Sequence, residues 1–189
     1  LPPTPDLDNL RVGWTGTLQN HPEDLHTVGG QLEAALQGRD FFVVGDGLGV
    51  KEALGMSGEV HATGWVHLDD YIDTMRNHMD IGIVPLEISA FNQAKSHLKG
   101  LEMSSQGIPC IVPNTDEYQR YSQETGTLLA KKPRDWQKHV KNLLNSVDRF
   151  EELRYTARDN VKGVTYENNV DSWVNAWKLA IKNRHETKK

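Results

Sequence analysis

Short apolar runs alternate with amphipathic segments along most of this chain. Five runs have the length and composition of buried parallel strands, at residues 11–16, 40–45, 59–64, 80–84 and 108–112. A brief sixth strand is expected at residues 127–130. The segments between them carry apolar residues at helical spacing, as in Leu68, Tyr71, Ile72 and Met75. The pattern therefore predicts an α/β fold, with a doubly wound, mostly parallel six-stranded Rossmann-like sheet and extra C-terminal helices.

Two of the predicted helices bear on function. The first is expected to open at Pro22 and to place Leu25, Val28 and Leu32 on one side. The second connects the strands at 80–84 and 108–112, and its first turns carry charged residues. These are Lys95, Lys99 and Glu102, with Leu98, Leu101 and Ser105 expected to face inward.

The ends of the chain differ from its centre. Residues 1–10 are rich in proline and are interpreted as a linker from a missing N-terminal domain, and residues 11–165 as the Rossmann-like domain. Residues 166–189 are expected to form a C-terminal helix with a frayed tail. Trp173 and Trp177 share a stripe of that helix, which is most simply core; the alternative is a docking face for the missing domain.

Composition excludes several functional classes. With 37% hydrophobic and 25% charged residues and a net charge of -5, the chain has an ordinary globular composition without a basic footprint for nucleic acid. No stretch approaches the roughly 18 apolar residues of a membrane span, no signal peptide is visible, and we expect a cytoplasmic protein. Cys110, the only cysteine, lies in an apolar run typical of core. No histidine pair has metal-ligand spacing, and neither a G-x-S-x-G elbow nor a P-loop is present.

The spacing of three charged residues indicates an anion site. Lys95 and Lys99 are four residues apart and Glu102 follows after three, so one helix face can carry all three. Cations near a helix N-terminus oppose the helix dipole, which suggests that a bound anion such as phosphate offsets them. Glu102 is then either a ligand for the vicinal hydroxyls of a sugar or a surface carboxylate paired with Lys99.

Glycines end three of the predicted strands on the same side of the sheet. Gly16, Gly45 and Gly64 each permit a tight turn, and together they would allow backbone amides to approach a phosphate or ribose. The segment GDGLG matches only part of a dinucleotide-binding fingerprint, which disfavours an NAD site.

The order of these pieces resembles the carboxyl-terminal donor-binding domain of GT-B-fold retaining glycosyltransferases of the group 1, or family 4, type. The resemblance covers roughly residues 11–144 and is carried by VVGDG, HATGWV, IGIVPL and FNQAKSHLKGLEMSSQGIPCIV. In that family the second glutamate of an E-x7-E motif binds the nucleotide ribose, and Glu102 falls there. The first glutamate, which contacts the donor sugar, falls on Ala94, so this sequence departs from the pattern of sugar recognition.

The resemblance implies sugar transfer with retention from a nucleotide sugar, such as a UDP- or GDP-sugar, to an unknown acceptor, without a cofactor. Lys95 and Lys99 are expected to be catalytic by stabilising the leaving diphosphate. The resemblance assigns donor binding to Gly16, Thr17, Gly45, Gly47, Gly64, Trp65, Ser96 and Glu102. The acceptor site would lie on the missing N-terminal half, and this half alone would be inactive. The alternatives are a GT-B-like nucleotide-sugar epimerase and a non-catalytic nucleotide-sugar-binding module.

Overall fold

A computed structural model describes residues 4–19, 21–125 and 127–186, with side chains as far as residue 184. Within these residues, six strands form a single sheet. The strands are β1 (Val12–Gly16), β2 (Phe41–Gly45), β3 (Val60–Ala62), β4 (Ile81–Ile83), β5 (Cys110–Pro113) and β6 (Leu128–Ala130). The predicted strands are therefore all present, although several are shorter than the apolar runs that indicated them.

Nine α-helices and two short 3-10 helices accompany the sheet in the described residues. The first five helices are α1 (Gly29–Leu36), α2 (Val50–Leu54), α3 (Leu68–His78), α4 (Ala90–Gln93) and α5 (Leu98–Ser105). The remaining four are α6 (Asp116–Thr125), α7 (Pro133–Leu144), α8 (Val147–Val161) and α9 (Tyr166–Glu186). The 3-10 helices are Leu7–Asn9 and Lys162–Val164.

The sheet is parallel throughout and has the strand order β3-β2-β1-β4-β5-β6. The chain adds β2 and then β3 on one side of β1. It then crosses to β4 on the other side of β1 and continues outward to β5 and β6. In an open parallel sheet, ligands bind at the carboxyl ends of the strands where the order reverses. This topology confirms the predicted doubly wound fold and directs attention to the ends of β1 and β4.

Helices cover both faces of the sheet, and strands such as β2 and β5 contribute to the core on each side. On β5, Ile111 belongs to one buried cluster, whereas Cys110 and Val112 belong to the other. The first cluster contains Trp14 and the inward sides of α1 and α7, which pack against each other. The second contains Met103 of α5 and residues of α3 and α6. Burial on both faces explains why the strands read as continuous apolar runs rather than as alternating ones.

The predicted helix opening at Pro22 is wrong. Residues 22–28 form successive turns, and α1 begins only at Gly29. Leu25 is buried in the core as its spacing indicated, but the side chain of Asp24 bonds to a segment more than sixty residues away in the sequence. This tertiary contact fixes the segment in turns, and the local apolar periodicity gave no sign of it.

The single helix predicted from Lys95 to Glu102 is also wrong, because residues 94–97 separate α4 from α5. Lys95 and Ser96 therefore precede α5, while Lys99 and Glu102 lie within it. Of the expected inward face, Leu101 packs against the second core, whereas Leu98 does not point inward. Leu98 is 54% exposed, and the buried positions of α5 are Gly100, Met103 and Ser104.

The C-terminal helix α9 contributes little to the core. Trp173 and Trp177 are 58% and 62% exposed, so the interpretation of their stripe as core is wrong. None of the described side chains of α9 is buried. The helix continues to Glu186, and residues 187–189 of the tail that was expected to fray lie outside the described part.

Candidate functional site

Two segments meet at the carboxyl ends of β1 and β4, and the carboxylate of Asp24 joins them. Asp24 follows β1 and is buried. Its Oδ1 accepts a 2.9 Å hydrogen bond from the backbone N–H of Glu87 and a 3.3 Å bond from the side-chain amide of Asn92. Asn92 also donates to the carbonyl of Glu87 at 2.8 Å. These bonds hold the loop after β4 against the loop after β1, exactly where the strand order reverses.

Lys99 extends from α5 to the end of β1. Its ammonium donates a 2.7 Å hydrogen bond to the backbone carbonyl of Thr15 and lies 5.4 Å from the centre of the Trp14 ring. Burial lowers the pKa of Lys99, since removal from water disfavours the charged form. Among the described residues, no carboxylate lies within ion-pair distance of this ammonium. Lys99 therefore presents a largely desolvated cation without a counter-ion in contact.

Lys95 approaches the same place from the link between α4 and α5. Its ammonium lies 3.4 Å from Nδ1 of His21, 4.0 Å from Oδ2 of Asp24 and 5.3 Å from the centre of the Phe91 ring. Burial, reinforced by the charge of Lys95, lowers the pKa of His21. A neutral His21 is able to accept a hydrogen bond from Lys95, and this leaves the positive charge on the lysine.

Glu102 supplies the acidic group of the cluster. Its carboxylate is partly buried, and its Oε2 accepts a 3.2 Å hydrogen bond from the hydroxyl of Tyr71 on α3. Burial raises the pKa of Glu102, although Tyr71 and the charge of Lys99 counteract the shift. Burial also raises the pKa of Tyr71 to about 12, so this hydroxyl remains a donor at neutral pH. Glu102 and Lys99 do not form the surface ion pair considered from the sequence, but their charges interact.

The structure thus brings Lys95, Lys99 and Glu102 together. The charge of Lys99 interacts with those of both Lys95 and Glu102, and also with Asp24. We call the region formed by Asp24, Lys95, Lys99 and Glu102 at the ends of β1 and β4 the cradle. The Lys99 ammonium is the group that interacts with the charges of the other three residues.

Two glycines border the cradle at neighbouring strand ends. Gly16 and Gly45 are paired in the register of β1 and β2, and a Cβ at Gly45 would lie only 2.2 Å from the carbonyl oxygen of Gly16. Gly45 also has a φ of 136°, which side chains rarely allow. Only glycine fits there, because a side chain would collide with the backbone of Gly16 on the neighbouring strand.

The remaining predicted site residues occupy different surroundings. Thr17 is buried, and its hydroxyl accepts a 3.2 Å bond from the N–H of Gln19, so it shapes the loop after β1. Gly47 packs against β3, where a Cβ would lie 2.6 Å from that of Ala62. Trp65 follows Gly64, which has a φ of 71°, and its ring is 76% exposed. Ser96 is exposed and precedes the N-cap of α5, so it lies outside the helix whose start it was expected to mark.

A cavity of about 340 Å³ opens beside the cradle, toward β5 and β6. Leu86, Pro113 and Trp136 contribute apolar lining, and Gln93 lines it as well. The side-chain oxygen of Gln93 is buried and has no hydrogen-bond partner among the described residues. The carboxyl edge of the sheet therefore combines a charged cradle with an adjoining, partly apolar cavity.

Sequence reasoning missed one residue of the cradle, Asp24, and two hydrogen-bond partners of cradle residues, Tyr71 and Asn92. Asp24 was interpreted as part of a helix start, Tyr71 only as an apolar helix position, and Asn92 was given no role. Each acts through a partner more than thirty residues away, except for the bond of Asn92 to Glu87. No local motif marks such pairs, and only the predicted convergence of loops at the carboxyl edge pointed to them.

The described residues contain no group of three or more histidine, cysteine or acidic side chains arranged to hold a metal ion. Cys110 is buried, and burial raises the pKa of its thiol to about 12, so it is a core residue rather than a nucleophile. In the same part of the chain, every helix is too short or too polar to traverse a bilayer.

The sequence matches the family described as Glycosyl transferases group 1 over residues 9–146. This match includes every strand of the sheet and all of the cradle. The chain belongs to the group 1 glycosyltransferases. Comparison with curated protein sequences finds no match.

Solved structures of glycosyltransferases share the fold. A point mutant of the O-GlcNAc transferase of Thermobaculum terrenum superposes with a TM-score of 0.65 at 17% identity, covering 96% of this chain and 40% of that one. Anabaena HepE in complex with UDP-glucose gives a TM-score of 0.67 at 13% identity, covering 90% and 50%. The catalytic domain of the Helicobacter pylori cholesterol-alpha-glucosyltransferase gives 0.61 at 13% identity, covering 82% and 99%.

These superpositions show a common fold for this group 1 glycosyltransferase domain. The chain spans 40% and 50% of the lengths of the first two structures, so it corresponds to about half of each. The shared architecture fits the carboxyl-terminal half of the GT-B fold, as the sequence predicted.

Proposed function

We propose that this domain binds the nucleoside diphosphate part of a nucleotide-sugar donor in the cradle and serves the transfer of the sugar to an acceptor with retention. The observation that carries the proposal is the desolvated Lys99 ammonium at the end of β1, with the Glu102 carboxylate in the next turn of α5. The ammonium suits a phosphate group, and the carboxylate suits the hydroxyls of a ribose. Membership of the group 1 glycosyltransferases supplies the reaction class.

Lys99 and Lys95 would contact the diphosphate. As the bond between the sugar and the β-phosphate lengthens, negative charge grows on the departing phosphate. Ammonium groups that are already fixed and largely desolvated stabilise that charge more than they stabilise the ground state. Lys99 is held by Thr15 and needs little reorganisation, whereas Lys95 is held less tightly by His21 and Asp24. The sequence K-x-x-x-K-x-x-E resembles that of the retaining enzymes and supports transfer with retention.

Glu102 would accept hydrogen bonds from the ribose hydroxyls. Tyr71 occupies its Oε2, while Oε1 has no hydrogen-bond partner among the described residues. A carboxylate with one oxygen hydrogen-bonded to the protein and the other available to a ligand is already oriented when the ligand binds. The base would then extend toward the glycine-rich turn at Gly47 and the exposed ring of Trp65, which offers an aromatic surface for stacking.

The donor would be a UDP- or GDP-sugar. The structure of HepE with UDP-glucose, which shares this fold, supports a uridine nucleotide as the first ligand to test. The acceptor would bind between this domain and an N-terminal domain of the whole protein. The exposed tryptophans of α9 and the partial coverage of longer glycosyltransferases support a two-domain enzyme in which this half alone is inactive.

A non-catalytic nucleotide-sugar-binding module is the second candidate, and Ala94 is the observation that favours it. Ala94 ends α4 with its side chain exposed, at the position where the resemblance places a glutamate that contacts the sugar. Under this alternative, the full-length protein would bind UDP-sugars without hydrolysing or transferring them. Turnover of a radiolabelled UDP-sugar by the full-length protein distinguishes the two candidates.

Calorimetric titration of this domain with UDP and GDP tests the binding proposal. We expect micromolar to millimolar affinity, which Lys99→Met and Glu102→Gln each weaken by about tenfold. The matched controls are Lys138→Met and Glu124→Gln, which change exposed residues of α7 and α6 and should leave the affinity unchanged. Equal affinities for wild type, Lys99→Met and Glu102→Gln would remove both residues from the site.

A further inference from the structure

A second cavity, of about 610 Å³, lies at the amino ends of the strands. Its lining includes Arg11, which directly precedes β1, Asp80, which directly precedes β4, and Ile108, two residues before β5. The cradle lies at the opposite ends of β1 and β4. Because β1 has five residues, the two edges are roughly 16 Å apart. This cavity is therefore separate from the proposed donor site.

Arginines dominate the charge of this cavity. Arg11, Arg76, Arg154 and Arg158 line it, and Asp80 is the only acidic residue among its lining residues. The chain as a whole has a net charge of -5, so a cluster of four arginines around one cavity contrasts with its overall acidic character. The volume lies in the range of small-molecule sites. Both charge and size fit a small anionic ligand.

Two of the four arginines are fixed before any ligand binds. Arg11 donates from Nε and Nη2 to the carboxylate of Asp80 at 2.9 and 3.0 Å, and from Nη1 to the carbonyl of Asn77. Those bonds use three of its five N–H groups, so two remain for a ligand. Arg154 is only 4% exposed and bonds to Glu151 at 3.1 Å and to Thr4 at 3.2 Å. Its guanidinium lies 5.5 Å from the centre of the Phe150 ring.

The other two arginines are exposed at the rim. Arg76 forms a 2.7 Å pair with Asp73, and an exposed pair of this kind is weak. Arg158 lies one helical turn beyond Arg154 on α8 and forms no salt bridge within the described residues. Both stand in the last turns of their helices, where a cation complements the dipole. Their position near helix ends is enough to explain Arg76 and Arg158 separately. It does not explain why Arg154 is buried in the same cavity.

We propose that this cavity is a second binding site, specific for a small phosphorylated molecule and independent of the donor site. Guanidinium groups present paired N–H donors that match phosphate oxygens. Arg11 and Arg154 form a rigid floor, and Arg76 and Arg158 close over the bound phosphate from two different helices. The ion pairs of Arg11 and Arg154 hold their guanidinium groups in place without filling the cavity.

Inorganic pyrophosphate is the probe for this site, and Lys99→Met is the background because it weakens binding at the cradle. In this background we expect calorimetry at low salt to show a site whose affinity falls by about tenfold when Arg76→Ala and Arg158→Ala are added. In NMR spectra, pyrophosphate should shift the backbone amides of Gly107 and Ile108 and leave that of Gly16 unchanged.

Arg120→Ala with Arg134→Ala is the matched control. Arg120 forms an exposed i, i+3 pair like that of Arg76, and Arg134 is exposed on α7. This control pair should leave the pyrophosphate affinity unchanged. All four changed arginines are exposed, so every variant is expected to fold. The proposal is overturned if Lys99→Met alone abolishes pyrophosphate binding, or if both arginine pairs alter the affinity equally.

Discussion

Lys99 and Thr15 are joined by a 2.7 Å hydrogen bond from the lysine ammonium to the backbone carbonyl, across 84 positions of sequence. The bond fixes a positive charge beside the last residue of β1 before any ligand is present. Desolvation of the ammonium lowers its pKa, so this charge is maintained at a cost to the folded state. Such an arrangement is typical of residues retained for binding or catalysis rather than for stability.

Replacing Lys99 by methionine should therefore separate stability from binding. The substitution removes the desolvation cost and keeps the aliphatic stem, so we expect the free energy of unfolding to stay within about 1 kcal/mol of wild type or to rise. UDP affinity should fall at the same time. Urea denaturation and calorimetry on the same samples check both effects. If Lys99→Met instead lowers the free energy of unfolding by several kcal/mol, the lysine has a structural role.

Glu102 should confer selectivity for the ribose of the donor. We expect wild type to bind UDP about tenfold more tightly than the 2′-deoxy analogue of UDP, since a hydrogen bond to a charged acceptor contributes about 1.5–3 kcal/mol. Glu102→Gln should reduce this preference, mainly by weakening the binding of UDP rather than that of the 2′-deoxy analogue. Competition titrations with the two nucleotides measure the ratio directly. An unchanged ratio in Glu102→Gln would mean that the carboxylate contacts another part of the ligand.

The sheet could be predicted from the sequence because strands buried on both faces read as apolar runs, and the runs at 40–45 and 80–84 contain β2 and β4. The cradle could be predicted only in part. Lys99 and Glu102 share a helix, so their proximity follows from spacing along the chain. Lys95 reaches them from residues 94–97, which separate α4 from α5, and Asn92 of α4 bonds to Asp24, far away in the sequence.

The arginine-lined cavity gave no signal in the sequence. Arg11 precedes a strand, Arg76 ends a helix, and Arg158 lies more than eighty residues further on, so no local pattern connects them. They meet because the residues before β1 and β4 and the helix α8 border the same cavity in the fold. Sites assembled from residues this far apart follow from the three-dimensional fold, and the one-dimensional pattern does not contain them.

Asp24 should be a structural support of the cradle. Asp24→Ala leaves the buried N–H groups of Glu87 and Asn92 without their acceptor, and we expect a loss of about 1–3 kcal/mol in the free energy of unfolding. Asp24→Asn keeps an oxygen for these donors and should lose less. The neighbouring Glu23 is exposed, so Glu23→Ala serves as the control and should have little effect on urea denaturation. Equal losses for Asp24→Ala and Glu23→Ala would contradict the role assigned to the carboxylate.

Tyr71 should set the pH range over which UDP binds. The ribose hydroxyls need an ionised Glu102, so affinity is expected to fall as the pH is lowered through the pKa of this residue, which burial raises above its usual value. The hydrogen bond from Tyr71 opposes that increase, because it stabilises the charged carboxylate. In Tyr71→Phe the pKa of Glu102 should rise further, and the acidic loss of UDP affinity should begin at a higher pH than in wild type.

Calorimetric titrations with UDP at a series of pH values measure this shift between wild type and Tyr71→Phe. Glu102→Gln is the reference, because it lacks the titrating group and should show a weaker acidic dependence in this range. Tyr71→Phe/Glu102→Gln should behave like Glu102→Gln alone, since the tyrosine acts through the carboxylate. If Tyr71→Phe lowers UDP affinity equally at every pH, Tyr71 affects the ligand by a route other than the charge of Glu102.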